Sequence, residues 1–224
     1  MLLHIKNVLD SHRLETVQSL LKGADFVDGR LSAGKEASRV KNNLELSPQS
    51  QLHQQLNQIV MSTLIQNAEY QAAALPLKVA TAFYACYKKG MTYGFHVDDP
   101  IMGPMNARYR TDVSTTVFLN SKDDYEGGEL NIRTPYGEHI LKPDAGDAVI
   151  YPSGSWHQVN EVTKGERLVA VTWAQSMVKD PKQRELLYEL GKARDKLLVS
   201  QPNAEETGVI STTHINLLRM WSEI

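Results

Sequence analysis

The sequence is poor in cysteine and carries no excess of charge of either sign. Its single cysteine, Cys86, cannot form a disulfide within the chain, and a reducing compartment is the simplest setting for it. The 24 Lys and Arg residues nearly balance the 26 Asp and Glu residues, for a formal net charge of −2. This balance excludes a strongly basic nucleic-acid coat and an acidic tail, although it leaves a local patch open. We therefore expect no nucleic-acid partner.

Long apolar runs are also missing. No segment approaches the roughly 18 apolar residues that a membrane-spanning helix needs. Residues 1–10 have neither the apolar run nor the small-residue cleavage site of a signal peptide. We expect no membrane partner, and we predict a short first strand within these ten residues.

The composition that remains is typical of a globular protein. Of the 224 residues, 42% are hydrophobic and 22% are charged, which argues against a disordered chain. A folded chain of this size buries roughly 70% of the surface that its unfolded form exposes, so it needs neither a disulfide nor a metal merely to fold.

Residues 11–75 have a mostly helical period. We predict one helix after Asp10-Ser11, which serves as the N-cap. For a second helix, Ser47 is the predicted N-cap and Pro48 fits the first helical position. Residues 1–77 are therefore assigned to an N-terminal helical region that packs against the rest of the chain.

Residues 78–176 change to short strands separated by glycine and proline turns. Many short strands with regular turns are typical of an antiparallel sandwich, a barrel or a double-sheet jelly roll. Helical periodicity returns in residues 177–224, beginning at Asp180-Pro181 and again over Ile215–Trp221. The apolar faces of these last helices can cover the strands or meet another subunit, so a homo-oligomer through the C-terminal helices stays open.

Three residues of the strand region have the pattern of a metal site. His96 and Asp98 are two positions apart, so in a strand both side chains project from the same face and can bind one ion. By itself this pair is a weak signal. A second imidazole, that of His157, opens another predicted strand about sixty residues later.

Arg167 follows His157 by ten residues, and its orientation is informative. It shares strand parity with Val169 and Val171, so it is expected to point inward with them. A buried guanidinium is costly unless an anion meets it, and it matches a carboxylate in a bidentate manner. A structural ion pair with Glu161, Glu166 or another acid is the alternative.

Taken together, the ordered set is specific. Two imidazoles and one carboxylate on one face of an octahedral metal leave three positions open, which is the facial triad of non-haem Fe(II) oxygenases. Two open positions suit a chelating 2-oxo acid and the third suits O₂, while Arg167 supplies a cation for the far carboxylate of that acid. Two alternatives from other classes are a non-catalytic metal-binding jelly roll that acts as a sensor or scaffold, and a zinc-dependent hydrolase.

The stretch Tyr87–Trp173 resembles the Fe(II)- and 2-oxoglutarate-dependent dioxygenases of the prolyl-4-hydroxylase type. The motifs that carry this resemblance are Tyr87-Lys88-Lys89-Gly90, Tyr93 to Asp98, Phe118-Leu119-Asn120, Gly127-Gly128-Glu129-Leu130, Ala145-Gly146-Asp147, Tyr151-Pro152, and His157 to Arg167. The chain resembles the bacterial PKHD-type hydroxylases more closely still, and nearly end to end. That longer match includes Val27-Asp28-Gly29-Arg30, Val40-Lys41-Asn42-Asn43, Ala73-Ala74-Leu75-Pro76 and Trp221-Ser222-Glu223-Ile224.

The resemblance implies an α+β, mainly β fold. Its core would be a double-stranded β-helix, or jelly roll, over 78–176, braced by the N-terminal helices and by a C-terminal helical extension. It further implies that His96, Asp98 and His157 ligate Fe(II), and that Arg167 and Tyr87 bind 2-oxoglutarate. Phe118 occupies a strand position that can be a tyrosine in relatives, so this site would lack one hydroxyl group.

The activity implied by the resemblance is hydroxylation of a C–H bond in an unidentified substrate. O₂ and 2-oxoglutarate are consumed and succinate and CO₂ are released, with L-ascorbate as a reductant. The same resemblance implies a cytoplasmic bacterial protein. For substrate recognition, we consider the stretch Asp99–Thr111, either as a loop that overhangs the metal or as an ordinary strand connection. One hypothesis is that Arg108 and Arg110 bind an anionic group of the substrate.

Overall fold

The computed structural model describes residues 1–47 and 49–224. The helices over those residues are α1 (Ser11–Leu21), α2 (Gln51–Gln66), α3 (Ala68–Ala74), α4 (Pro181–Ser200) and α5 (Glu205–Trp221). Short 3₁₀ turns lie at Gly29–Ser32, Ala37–Arg39 and Lys122–Asp124.

The strands are short and numerous, as the turn spacing predicts. In chain order they are β1 (Leu3–Ile5), β2 (Phe26–Asp28), β3 (Lys41–Asn42), β4 (Leu44–Leu46), β5 (Pro76–Val79), β6 (Phe83–Lys88), β7 (Thr92–His96), β8 (Ile101–Met102), β9 (Tyr109–Arg110), β10 (Val113–Phe118), β11 (Tyr125–Gly127), β12 (Leu130–Thr134), β13 (Gly137–Leu141), β14 (Ala148–Pro152), β15 (His157–Val159) and β16 (Val162–Ser176).

These strands form two principal antiparallel sheets. The larger sheet has the order β1-β14-β10-β16-β6-β4-β2, and β5 and β11 also pair with β16. The smaller sheet has the order β13-β12-β15-β7-β3. One buried cluster joins Phe118 and Tyr151 of the larger sheet to Ile132 and Val159 of the smaller one. The sheets therefore face each other around a shared interior, which is the predicted jelly roll.

The outer face of the larger sheet is covered by the N-terminal helices. Leu56, Val60 and Leu64 of α2 belong to the same buried cluster as Val117 and Ile150 of the sheet. Successive residues of a strand project to opposite faces. In β10 and β14, alternate side chains therefore contact the helices, and the side chains between them point into the space between the two sheets. This alternation explains why these strands are buried on both faces.

The start of α1 agrees with the prediction and the start of α2 does not. Asp10 caps α1, since its side chain accepts a hydrogen bond from the Arg13 backbone N–H at 2.8 Å. The predicted cap of the second helix, Ser47, is wrong. The cap is Ser50, whose extended backbone and hydroxyl, 3.2 Å from the Leu52 nitrogen, begin the helix at Gln51. The residue assigned to the first helical position, Pro48, lies outside the described residues.

The N-terminal region contributes strands as well as helices. The predicted first strand is β1, which pairs with β14. Between α1 and α2, strands β2 and β4 extend the larger sheet and β3 extends the smaller one. The expectation that residues 11–75 are mostly helical therefore misses three strands. The limits 1–77, 78–176 and 177–224 stay a prediction.

Of the two C-terminal helices, α4 packs against α3, and α5 packs against α4. The Tyr188 hydroxyl of α4 donates to Glu69 of α3 at 2.6 Å. The buried Arg184 guanidinium joins α4 to the core by donating to the carbonyl oxygens of Val178 and Asp112 at 2.7 and 3.2 Å. Within the part of the chain that the structure describes, no helix has the length and apolarity to cross a bilayer.

Candidate active site

The candidate metal ligands come together where the end of β7 pairs with the start of β15. They are His96, Asp98 and His157. The two histidines are direct cross-strand partners, and Asp98 follows β7 by two residues. Asp98 Oδ1 lies 4.0 Å from His96 Nε2 and 3.8 Å from His157 Nε2. One candidate ligand atom from each residue falls within 4.8 Å of the other two, which is the spacing of a shared metal ion.

Both imidazoles are oriented by backbone carbonyl groups. His96 Nδ1 lies 2.8 Å from the Gly94 oxygen and His157 Nδ1 lies 3.0 Å from the Ser155 oxygen. A carbonyl oxygen only accepts, so in each ring Nδ1 carries the proton and Nε2 presents its lone pair toward Asp98. This is the second hydrogen bond by which proteins fix metal-binding histidines.

Asp98 is oriented by the hydroxyl of Ser114, which a second serine contacts in turn. Ser114 of β10 donates to Asp98 Oδ2, and the Ser153 hydroxyl lies 2.8 Å from that of Ser114. With Oδ2 occupied, Oδ1 is the oxygen that faces the imidazoles. Sequence reasoning missed Ser114. Parity alone could not single it out, because the three consecutive residues Ser114–Thr116 all carry hydroxyls and Thr116 shares the parity of Ser114.

His96 is held neutral by its surroundings. Burial, and then the neighbouring His157, lower its pKa to about 4. Tyr93 stacks on the His96 ring with 3.7 Å between centroids and 12° between planes. The neutral form is the one that can coordinate a metal.

The donor set fits Fe(II). Two imidazole nitrogens and one carboxylate oxygen are the 2-His-1-carboxylate set of non-haem iron oxygenases. All three side chains are less than one-tenth exposed, so little solvent competes for the protein ligands.

Arg167 is buried without an ionic partner. Only 1% of it is exposed, and its Nε and Nη1 have no hydrogen-bond partner among the described residues. The alternative ion pair with Glu166 is absent from the salt bridges of the described chain, where Glu166 instead lies 4.0 Å from Lys88. An unpaired guanidinium in an interior is strongly unfavourable, so the site fits a carboxylate ligand that the protein does not itself supply.

One cavity of about 90 Å³ connects these groups. His96, Asp98 and His157 line one part of it, and Arg167 and Tyr87 line another. Tyr87 is the direct cross-strand partner of Arg167. The three candidate metal ligands and the guanidinium therefore line one cavity, and a single ligand with two acidic ends has both a metal site and a cation within that cavity.

A buried ion pair closes another side of the same cavity. Lys41 donates to Glu45 Oε1 at 2.5 Å and to the Ser32 hydroxyl at 3.0 Å, and Ser32 donates to the other carboxylate oxygen of Glu45. Sequence reasoning missed this group because β3 and β4 are too short to show a period.

The stretch 99–111 forms the hairpin β8–β9, from which Met102 lines the cavity. Arg110 donates to Asp112 at 2.7 Å and also contacts Glu223, and neither it nor Arg108 lines the cavity. The structure therefore gives no support to the hypothesis that Arg108 and Arg110 bind an anionic substrate group, which stays a prediction. The guanidinium of Arg110 is already paired.

The sequence of this chain is similar to those of known Fe(II)- and 2-oxoglutarate-dependent oxygenases, which agrees with the residues found in the site. The sequence profile of the 2OG-Fe(II) oxygenase superfamily matches residues 82–175. A PKHD-type hydroxylase of Thioalkalivibrio sulfidiphilus is 51% identical over 224 residues, covering 100% of both chains. A PKHD-type hydroxylase of Acaryochloris marina is 43% identical over 223 residues, again covering 100% of both.

Solved structures share the fold at low sequence identity. A Pseudomonas putida prolyl-4-hydroxylase superimposes with a TM-score of 0.55 at 18% identity, over 78% of this chain and 92% of that one. A Trichoplax adhaerens prolyl hydroxylase, solved with a hypoxia inducible factor peptide, gives 0.56 at 19% identity, over 83% and 86%. These similarities support the jelly-roll architecture.

Proposed function

The chain belongs to the PKHD-type hydroxylases of the 2OG-Fe(II) oxygenase superfamily, and from this premise we propose that His96, Asp98 and His157 hold the Fe(II). We propose further that Arg167 binds the distal carboxylate of 2-oxoglutarate, with Tyr87 beside it. The protein is an Fe(II)- and 2-oxoglutarate-dependent oxygenase. Bound iron and cosubstrate supply the activation of O₂.

The observation that carries this assignment is the unpartnered Arg167 in the cavity of the metal trio. A metal-binding scaffold or sensor does not need a buried, unpaired cation in the cavity that its metal ligands line. A zinc hydrolase would need a general base near the metal, and it too leaves the arginine unexplained. An oxygenase that chelates a 2-oxo dicarboxylate accounts for the trio and the arginine together.

The side chains of this protein bind, orient and exclude water. Carbonyl oxygens and Ser114 set the direction of the three metal ligands. The rings of Tyr87 and Phe118 lie 5.1 and 5.4 Å from the Arg167 guanidinium carbon, which keeps its carboxylate site dry and strengthens the ionic hydrogen bonds formed there. With the cosubstrate fixed at both ends, a C–H bond of a second substrate would be hydroxylated at the site: one oxygen atom of O₂ enters the new hydroxyl group and the other enters succinate, while CO₂ is released.

The proposal has three further parts. L-ascorbate is the expected reductant that keeps the iron ferrous. A cytoplasmic location suits the single buried Cys86. A homo-oligomer would cover the exposed apolar side chains of Val209, Ile215 and Met220 on α5, and light scattering of the full chain checks it.

The decisive experiment is an anaerobic titration. Metal-free protein receives Fe(II) and then 2-oxoglutarate, and the visible charge-transfer band of the chelated 2-oxo acid is recorded. The band should disappear in His157→Ala and need at least tenfold more cosubstrate in Arg167→Ala. Arg133→Ala is the matched control, because Arg133 is exposed and paired with Glu138. Absence of the band in iron-loaded native protein would refute the assignment.

A further inference from the structure

Only some of the charged side chains that line the cavity are free to bind a substrate. The charged side chains comprise two cations, Lys41 and Arg167, and three acids, Glu45, Asp98 and Asp99. Lys41 is bound to Glu45 at 2.5 Å, and Arg167 is the proposed partner of the cosubstrate. The charges of Fe(II) and of 2-oxoglutarate cancel. In the loaded site the two cations therefore offset the charge of two of the three acids, Glu45 and Asp98. No cation remains for an anionic substrate, and the charge of one carboxylate is not offset.

That carboxylate belongs to Asp99. Its side chain forms no hydrogen bond or ion pair with any described residue, although it directly follows the proposed ligand Asp98. Its backbone is fixed by the buried Thr111, whose hydroxyl donates to the Asp99 carbonyl oxygen and whose N–H donates to the Pro100 oxygen at 3.0 Å. Asp99 is therefore an exposed acid held in place at the rim of the cavity.

The wall beside Asp99 is made of small residues. A Cβ atom on Gly34 would lie 2.6 Å from Asp99 Oδ2, so the carboxylate rests on the bare backbone of that glycine. Ala33 and Ala37, which are close to Gly34 in the sequence, also line the cavity. Their short side chains leave space for a ligand next to the carboxylate.

The same cavity is lined by a residue whose hydrogen-bond donor no described residue satisfies. The indole Nε1 of Trp173 is buried without a partner among the described residues, and Trp173 lines the cavity at 9% exposure. Trp173 is the direct cross-strand partner of Ser114, the residue that holds Asp98. An unsatisfied buried donor this close to the metal trio points to a polar ligand with an acceptor for it.

We propose that Asp99 is a specificity-determining residue, and that the oxidised substrate presents a cationic group to it, either a primary amine or a guanidinium. This inference rests on the proposed function, because it takes the cation of Arg167 as used by 2-oxoglutarate. It reverses the charge preference that Arg108 and Arg110 suggest from the sequence.

The test compares three amino-acid probes of similar size on the full chain loaded anaerobically with Fe(II) and 2-oxoglutarate. They are the Nα-acetyl methylamides of arginine, citrulline and glutamate, and their binding is measured by isothermal titration. Because the carboxylate is partly exposed, the arginine probe should bind roughly two- to fivefold more tightly than the neutral citrulline probe. The glutamate probe should bind most weakly, and added salt should narrow the differences.

Asp99→Asn should remove the preference for arginine over citrulline, and Asp99→Lys should favour the glutamate probe. Asp123→Asn is the matched control, since Asp123 is an exposed acid in a 3₁₀ turn away from the cavity. Equal binding of the arginine and citrulline probes, no measurable binding of the arginine probe, or a preference that survives in Asp99→Asn would each overturn the inference. The charge-transfer band recorded before each titration distinguishes a failure of the proposed function from a failure of the proposed role of Asp99. A missing band rejects the proposed function, whereas a normal band without a charge preference rejects only the role of Asp99.

Discussion

Tyr87 and Arg167 lie opposite each other on β6 and β16, with the guanidinium carbon 5.1 Å from the centre of the phenol ring. The ring offers its π face to a cation that has lost its water, but this contact replaces only part of the lost hydration. The protein therefore keeps a buried charge that is poorly compensated until a carboxylate arrives.

This relationship predicts opposite effects on stability and on binding when the charge is removed. Arg167→Met should raise the free energy of unfolding of the metal-free protein by about 1–3 kcal/mol, because it replaces an unpaired buried cation with an apolar side chain of similar length. The same change should weaken 2-oxoglutarate binding at least tenfold. Urea unfolding and the anaerobic titration measure the two effects, and a less stable variant would contradict the account.

Ser114→Ala should weaken the metal site without disrupting the fold. Removing the hydroxyl leaves Asp98 Oδ2 without its donor, so metal affinity should fall by roughly 10- to 100-fold. Thr115→Val is the matched control. Thr115 is the next residue of β10, equally buried, and its hydroxyl has no partner among the described residues. Equilibrium dialysis with Fe(II) under anaerobic conditions compares both variants, and equal affinities would reject the role of Ser114.

Gly128→Ala should be strongly destabilising. Its φ is +67°, and a Cβ atom would lie 2.9 Å from Val162 Cγ2 and 3.1 Å from Arg167 Cδ. Both the backbone conformation and the crowding oppose a side chain, so we expect a loss of at least about 2 kcal/mol together with weaker 2-oxoglutarate binding. Gly208→Ala, in the open interior of α5, should instead stabilise by about 0.5–1 kcal/mol. Thermal unfolding of the two variants should shift in opposite directions.

Cys86 should be unreactive in the folded protein. Burial, and then Glu166, raise the pKa of its thiol to about 12, so the thiolate is scarce at pH 8 and reagents have no access to it. Iodoacetamide followed by mass spectrometry should leave the native chain unmodified and label it once urea unfolds it. Rapid labelling under native conditions would show that β6 opens on its own.

The candidate site was predictable from the sequence to the extent that its residues lie on strands of clear parity or, like Asp98, just past the end of one. The spacing of His96 and Asp98, and the shared parity of Arg167 with Val169, are enough to indicate inward side chains. The fold class followed from the density of turns over 78–176. These patterns are legible because one face of each strand must be apolar.

Ser114 and the pair Lys41–Glu45 could not be predicted in this way. Ser114 is one of three consecutive hydroxyl residues in β10, and its partner, Asp98, lies just past the end of β7. Lys41 and Glu45 occupy strands of two and three residues, where no period can be read. The start of α2 failed for a related reason, since Ser47 and Ser50 are equally good caps by type and only the backbone chooses between them.

The direct pairing of His96 with His157 ties the metal site to the alignment of the smaller sheet. Successive side chains alternate between faces, so a slip of β15 by one residue would turn His157 outward and bring Gln158 in its place. No local segment can form the site by itself, because His96 and His157 are separated by more than a quarter of the chain. The two residues come together only when β7 and β15 pair in the correct register. Bound iron would therefore stabilise only the correct register of β7 and β15. A chain in which these strands pair in another register would not retain the metal.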